Sequence, residues 1–233
     1  MSKELFVPKF ILYYIFLDPR TLISAMTETL GLDCLVHLDS VMVYQKVDYA
    51  DVFLGFTSNR RYSITSGPND KPILYAVQDN NFWTREFGSK YNMTIRVMNA
   101  AKTDLMVVSK AKHHDCCEGP KVDVFAPPGN KIGWVRYHEG CCWDHMEIHE
   151  PKGQLLYKVI PYSSFKDNKF RIVDRNNKVV GKIFKKYAGF FQEAFSKADN
   201  FRVEFKDASV RTKAFFLATA FYIDAVFHEG RRF

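Results

Sequence analysis

Two stretches hold most of the residues able to bind a metal ion. His113, His114, Cys116 and Cys117 crowd one of them, and Cys142, His145 and His149 the other. Imidazole nitrogen and thiolate sulfur are the donors of tetrahedral zinc, and the two stretches together offer more than the four a structural site needs. On a strand, His145 and His149 share a face, because a separation of four residues is two periods of the pleat. The spacing nevertheless matches no standard finger: adjacent cysteines chelate poorly, and the stretches lie far apart in the chain. Other chemistry is harder to find. There is no Gly-rich phosphate loop, no nucleophile elbow and no hydrolytic triad, and nothing in the sequence places Asp and His residues together. The chain reads as a non-enzyme.

The element that must organise these residues lies near the C-terminus. Ser209–His228 contains neither Gly nor Pro and begins with a Ser able to cap a helix. From Ala214 to Phe227 only Thr219, Tyr222 and Asp224 carry polar side-chain atoms. A helix apolar on nearly every side must be surrounded by protein or by lipid. Residues 214–227 span ~21 Å at ~1.5 Å each, against ~30 Å for a bilayer core. Asp224 at membrane depth costs a further ~3 kcal/mol. A helix sheathed by protein is the expectation.

Composition supplies the wall. With 233 residues, 47% of them hydrophobic and 15% aromatic, the chain can bury a large core. Its 33 Lys and Arg against 26 Asp and Glu leave a net charge of +7, which suits an anionic membrane surface. The basic residues are scattered, so no nucleic-acid partner is expected. Five cysteines, an odd number that includes two adjacent pairs, argue for a reducing compartment over a disulfide framework. In the N-terminal segment, residues 1–30, the apolar run Phe10–Leu17 lacks a cleavage site and is too short to span a bilayer. It reads as a strand or an interfacial anchor. Pro19–Leu30 reads as a modest amphipathic helix closed by Gly31.

From Asp39 onward short apolar-rich runs alternate with turns. The predicted strands are Val41–Val47, Asp51–Thr57, Arg61–Thr65, Ile73–Val77, Met93–Met98, Leu105–Val108, Lys121–Ala126, Lys131–Tyr137, Met146–His149, Leu155–Ile160, Phe170–Asp174, Lys178–Phe184 and Asn200–Phe205. About a dozen strands must close or cover their edges, and the apolar helix needs walls. A closed antiparallel β-barrel with the helix through its middle satisfies both demands, as one domain over residues 31–233.

Several stretches of this pattern resemble the phospholipid scramblase family. They are Gly31-Leu32-Asp33-Cys34-Leu35 leading to Val41-Met42-Val43-Tyr44-Gln45, Ala126-Pro127-Pro128-Gly129 with Ile132-Gly133, and Val179-Val180-Gly181-Lys182-Ile183. Glu193 to Phe201, followed by the terminal helix, is the longest. The resemblance implies a tubby-like fold, an all-β barrel of roughly a dozen strands enclosing a C-terminal helix near residues 209–228. It also implies ATP-independent, bidirectional movement of phospholipids at the cytoplasmic face of the plasma membrane, activated by calcium. A tubby-like module that binds phosphoinositides or a protein, without transport, is the alternative.

The family's calcium segment is an acidic loop that opens Asp-x-Asp-Asn-Phe. Here Lys197 stands at the first acidic position, a cation where Ca²⁺ needs an oxygen. Asp199, Asn200, Glu204 and Asp207 remain as candidate ligands, with Asp207 one residue short of the expected closing position, Ala208. The competing reading is a helix-to-strand junction with Asp199 capping backbone donors. The family's palmitoylated Cys-rich run is reduced to Cys116 and Cys117, and two acyl chains suffice for stable anchoring where one does not. Lys182, Lys185 and Lys186 occupy the place of a nuclear import signal in some members, and otherwise read as a solvated strand end facing anionic lipid. The family's Pro-rich, adaptor-binding N-terminal segment is not recognisable in this sequence, so protein partners stay unassigned.

Overall fold

A computed structural model describes residues 31–45, 60–68, 70–79, 91–111, 119–138, 144–163, 168–186 and 200–229. Among the described residues, a 3-10 turn at Asp33–Leu35 is followed by twelve strands and a helix. The strands are β1 (Ser40–Gln45), β2 (Arg61–Thr65), β3 (Pro72–Gln78), β4 (Tyr91–Met98), β5 (Asp104–Ala111) and β6 (Lys121–Phe125), then β7 (Lys131–His138), β8 (His145–His149), β9 (Leu155–Pro161), β10 (Lys169–Val173), β11 (Val179–Lys186) and β12 (Asn200–Phe205). Helix α1 runs from Val210 to Glu229.

Each strand pairs antiparallel with its sequence neighbours, and β12 returns to pair with β1, which closes the barrel. Closure removes every free edge, the liability that a dozen exposed strands would otherwise carry. Twelve of the thirteen predicted strands fall on observed ones, with Arg61–Thr65 and Asn200–Phe205 matched end to end. The segment Asp51–Thr57, residues 1–30 and their Phe10–Leu17 run lie outside the described residues.

The alternation of each strand decides what faces inward. On β8, Met146 and Ile148 are buried while His145, Glu147 and His149 face out. On β12, Phe201, Val203 and Phe205 point in, and Asn200, Arg202 and Glu204 point out. The inward side chains form one core with α1, in which every residue from Lys213 to Asp224 is buried. Three turns of helix buried on all sides require a wall on all sides, and the barrel provides it. Phe215, Phe216 and Phe221 are fully buried, each contributing roughly 1.5–3 kcal/mol from apolar transfer.

The helix is seated by named contacts. The Ser209 hydroxyl accepts from the Thr212 amide at 3.2 Å, the N-cap that the sequence predicts. Lys213 Nζ donates to the carbonyls of Leu35, Val36 and Leu38 at 2.8–2.9 Å. All three ammonium hydrogens are thereby used, and the first turn of α1 is tied to the segment that precedes β1. Two motif glycines make room for the ring pair on the helix. A Cβ on Gly133 of β7 would lie 2.7 Å from Phe215 Cζ and 2.1 Å from the His149 carbonyl oxygen; on Gly181 of β11 it would lie 2.5 Å from Phe216 Cε2. Real Cβ atoms do not approach so closely, so both positions need a residue without one.

Candidate functional site

Three polar groupings stand out in this barrel, one inside and two outside. The interior one answers what Asp224 is doing in an apolar helix. Its carboxylate is fully buried. Tyr62 Oη of β2 donates to Asp224 Oδ2 at 2.6 Å, and Lys185 Nζ of β11 stands 3.8 Å from Oδ1. The Tyr62 ring packs on Phe221 one turn earlier, with centroids 5.2 Å apart, and Lys185 Nζ lies 5.6 Å from the Phe201 ring. A charge at this depth is tolerable only when paired and hydrogen-bonded, and here it is both. This corrects the reading of the basic strand end. Lys182 faces out, whereas Lys185 is 6% exposed and serves as the counter-ion of the helix. The alternation of β11 gives the reason, since Gly181, Ile183 and Lys185 all fall on the inner face.

The second grouping lies outside, across β11, β12 and β1. A groove of about 290 Å³ is lined there by Asp39, Ser40, Lys182, Arg202, Glu204 and Lys206 among others. Glu204 sits in register between Ser40 of β1 and Lys182 of β11, and Arg202 Nε contacts its Oε1 at 3.2 Å. This groove also holds one of the candidate calcium ligands. Asn200 and Glu204 share the outer face of β12, but four residues of extended strand separate their Cα atoms by roughly 13 Å. A calcium ion binds its oxygens at about 2.3–2.6 Å, so β12 as it stands does not bring these two side chains to one centre. Asp207 occupies the turn beyond the strand, with φ +47°. Asp199 and Lys197 lie outside the described residues, as do Cys116, Cys117, His113, His114 and Cys142.

The third grouping covers the outer face of β7, β8 and β9. His145 and His149 do share a face, and between them lies Glu147, with Arg136 opposite it on β7 and Lys158 opposite it on β9. The Glu147 carboxylate meets His149 Nε2 at 3.0 Å, His138 Nε2 at 3.2 Å, His145 Nε2 at 3.3 Å and Lys158 Nζ at 3.4 Å. Partial burial alone would raise its pKa; the surrounding imidazoles and the ammonium outweigh that and hold it down at about 2. His149 is clamped, its ring stacked on Trp134 at 3.9 Å and its Nδ1 2.9 Å from the Gly153 carbonyl. Arg136 lies over the same indole at 4.6 Å. Sequence reasoning missed Glu147 and His138. The His145/His149 spacing is a local signal, but the partners across the ladder depend on register.

A closed twelve-stranded barrel filled by its own C-terminal helix, with charge displayed on the outer wall, defines a class of architecture before it defines a protein. Comparison with known proteins narrows the class. The Scramblase family model matches residues 20–230, and the chain belongs to the scramblase family. It is 30% identical over 211 residues to phospholipid scramblase 1 of Mus musculus, covering 85% of this chain and 64% of that protein. Identity to phospholipid scramblase 2 of Homo sapiens is 29%, covering 87% of this chain and 71% of the relative. Identity to phospholipid scramblase family member 5 of Homo sapiens is 25%, covering 91% and 82%. The chain thus spans a little under two thirds of the length of the mouse relative.

Proposed function

We propose that this protein is a phospholipid scramblase, moving phospholipids between leaflets in both directions without ATP from the cytoplasmic face of the plasma membrane. Family membership over residues 20–230 carries the reading. Among the described residues no helix is long and apolar enough to cross a membrane, and α1 is consumed by the barrel. Contact with lipid is therefore assigned to the outer wall and to anchors. Along the groove Lys182, Arg202 and Lys206 outnumber Asp39 and Glu204, and this excess of positive charge favours an anionic, phosphate-bearing headgroup. Acyl chains on Cys116 and Cys117 complete the attachment. Phospholipid movement is transport, with no covalent bond made or broken.

Calcium is the activator in this reading, and its response is weak. Lys197 replaces an oxygen ligand, and β12 holds Asn200 and Glu204 apart. Lys197→Asp restores a ligand and removes a repelling charge, so it should lower the calcium concentration needed for half-maximal scrambling by tenfold or more; no change would remove this junction as the calcium site. The separation on β12 also favours a second reading, a headgroup-binding module without transport. A nuclear role is the less favoured location, because burial of Lys185 leaves a weaker exposed basic cluster. Lipid scrambling in liposomes containing the purified protein decides between these readings. Calcium-dependent loss of leaflet asymmetry is expected. Bound, folded protein without scrambling would establish the module.

A further inference from the structure

The outer face of β7 and β8 holds more than a carboxylate in a nest of positive charge. His138 and His145 are direct cross-strand partners. Their rings stack at 5.0 Å with planes 14° apart, and both direct Nε2 at the carboxylate of Glu147, which follows His145 on the same face of β8. One ligand atom from each of the three residues lies within 4.8 Å of the other two. The Glu147 carboxylate reaches both imidazoles, with Oε2 at 3.2 Å from His138 Nε2 and Oε1 at 3.3 Å from His145 Nε2. In a tetrahedral zinc site with ~2.0–2.1 Å bonds, neighbouring donors stand about 3.3–3.4 Å apart. The sheet already sets each imidazole nitrogen about one edge of that polyhedron from a carboxylate oxygen.

A second observation separates this arrangement from an ordinary ion-pair cluster. His138 Nε2 is buried and makes no hydrogen bond. It stands 3.2 Å from Glu147 Oε2, the carboxylate oxygen on which His149 also bears.

We propose that His138, His145 and Glu147 form a binding site for a divalent transition metal, zinc above others. Two imidazoles and one carboxylate suit such an ion, whereas calcium prefers an all-oxygen shell. His149, fixed between Trp134 and the Gly153 carbonyl, bears on Oε2 and orients the carboxylate from behind, as outer-sphere partners of metal ligands do. Lys158 is the competing cation. It is 42% exposed and sits on a flexible stem, so it can swing into solvent when the metal enters. Arg136 is held over the Trp134 ring, beside the site. Three protein ligands leave the fourth position to water.

The test is a zinc titration of the purified, metal-free full chain against a chromogenic chelator, with cobalt substitution read by absorption. Zinc should bind with one equivalent at this site. His138→Ala and Glu147→Gln should each weaken it at least tenfold, with metal-free circular dichroism and melting reporting that the barrel is intact. Should His138→Ala unfold, His145→Ala carries the same test. The cobalt form should show d–d bands without a thiolate charge-transfer band. Absence of zinc binding, equal affinity in the folded variants, or a thiolate band placing the ion on the cysteines would overturn the assignment.

Discussion

Asp224 and Glu147 are both carboxylates ringed by basic or donating partners, and they differ in where the barrel puts them. Asp224 projects from α1 into the core, takes the Tyr62 hydroxyl at 2.6 Å and has one lysine near it. Glu147 lies on the outer wall, 17% exposed, with three imidazoles and one ammonium within 3.4 Å. Inside, desolvation is severe and the partners serve to make the charge bearable and to fix the rotation and depth of the helix. Outside, water shares the load, so the partners can exchange. The first arrangement holds the fold in place; the second is free to take a ligand.

The comparison can be broken most forcefully from the inside. Asp224→Leu leaves Lys185 buried without its carboxylate and should cost about 3–5 kcal/mol of unfolding free energy. Urea denaturation would measure it, and adding Lys185→Met should recover most of the loss. A small single-mutant effect would mean that the pair does not anchor the helix. The outer cluster should respond more gently. Glu147→Gln is expected to cost about 1 kcal/mol at neutral pH, after allowance for solvent screening.

The pH dependence of that outer effect has a definite sign. The folded pKa of Glu147, about 2, lies below the ordinary 4.5, so its stabilisation is present above that ordinary value and is lost as pH falls from 4.5 toward 2. Wild type and Glu147→Gln should converge in stability across this window. Parallel curves would mean that the carboxylate is not stabilised by its neighbours. Smallest of all is the lipid-facing wall. Lys182→Gln, which removes one charge, should weaken binding to phosphatidylserine vesicles severalfold, at about 1 kcal/mol per charge, and leave the melting temperature almost unchanged. Unaltered flotation would take the β11–β12–β1 groove out of the lipid contact.

Much of this architecture is legible in the sequence because the period-2 pattern and the turn residues are strong local signals. Ser209 announces the cap, and the run from Ala214 onward announces a helix that must be wrapped. Asp224 argues against a membrane span, but its partners on β2 and β11 are not legible from the helix alone. Lys185 is misread because a lysine near a strand end is usually solvated; the phase of Ile183 and Lys185 along β11 carried the correct answer. Glu147 and His138 are invisible for a different reason. Their meeting depends on which residue of β7 faces which residue of β8, and a shift of one residue would send the whole row to the core. Local spacing finds His145 and His149; only the ladder finds the rest. The motif glycines were readable as a resemblance, but that Gly133 and Gly181 make room for Phe215 and Phe216 is a fact of three dimensions.

The pairing of β1 with β12 has a consequence for how the molecule is made. Ser40 meets Glu204 across that seam, so the ring closes only after every strand from β2 to β12 has left the ribosome, and α1 emerges later still. Until then β1 and β11 each lack a neighbour, and the inward faces of eleven strands lack their filling. Translation at about 5–20 residues per second makes that a wait of many seconds, and pairings so distant in sequence form slowly. Nascent chains of this protein should therefore depend on chaperones that shield apolar strands, and stop codons within α1 should send nearly complete barrels to degradation.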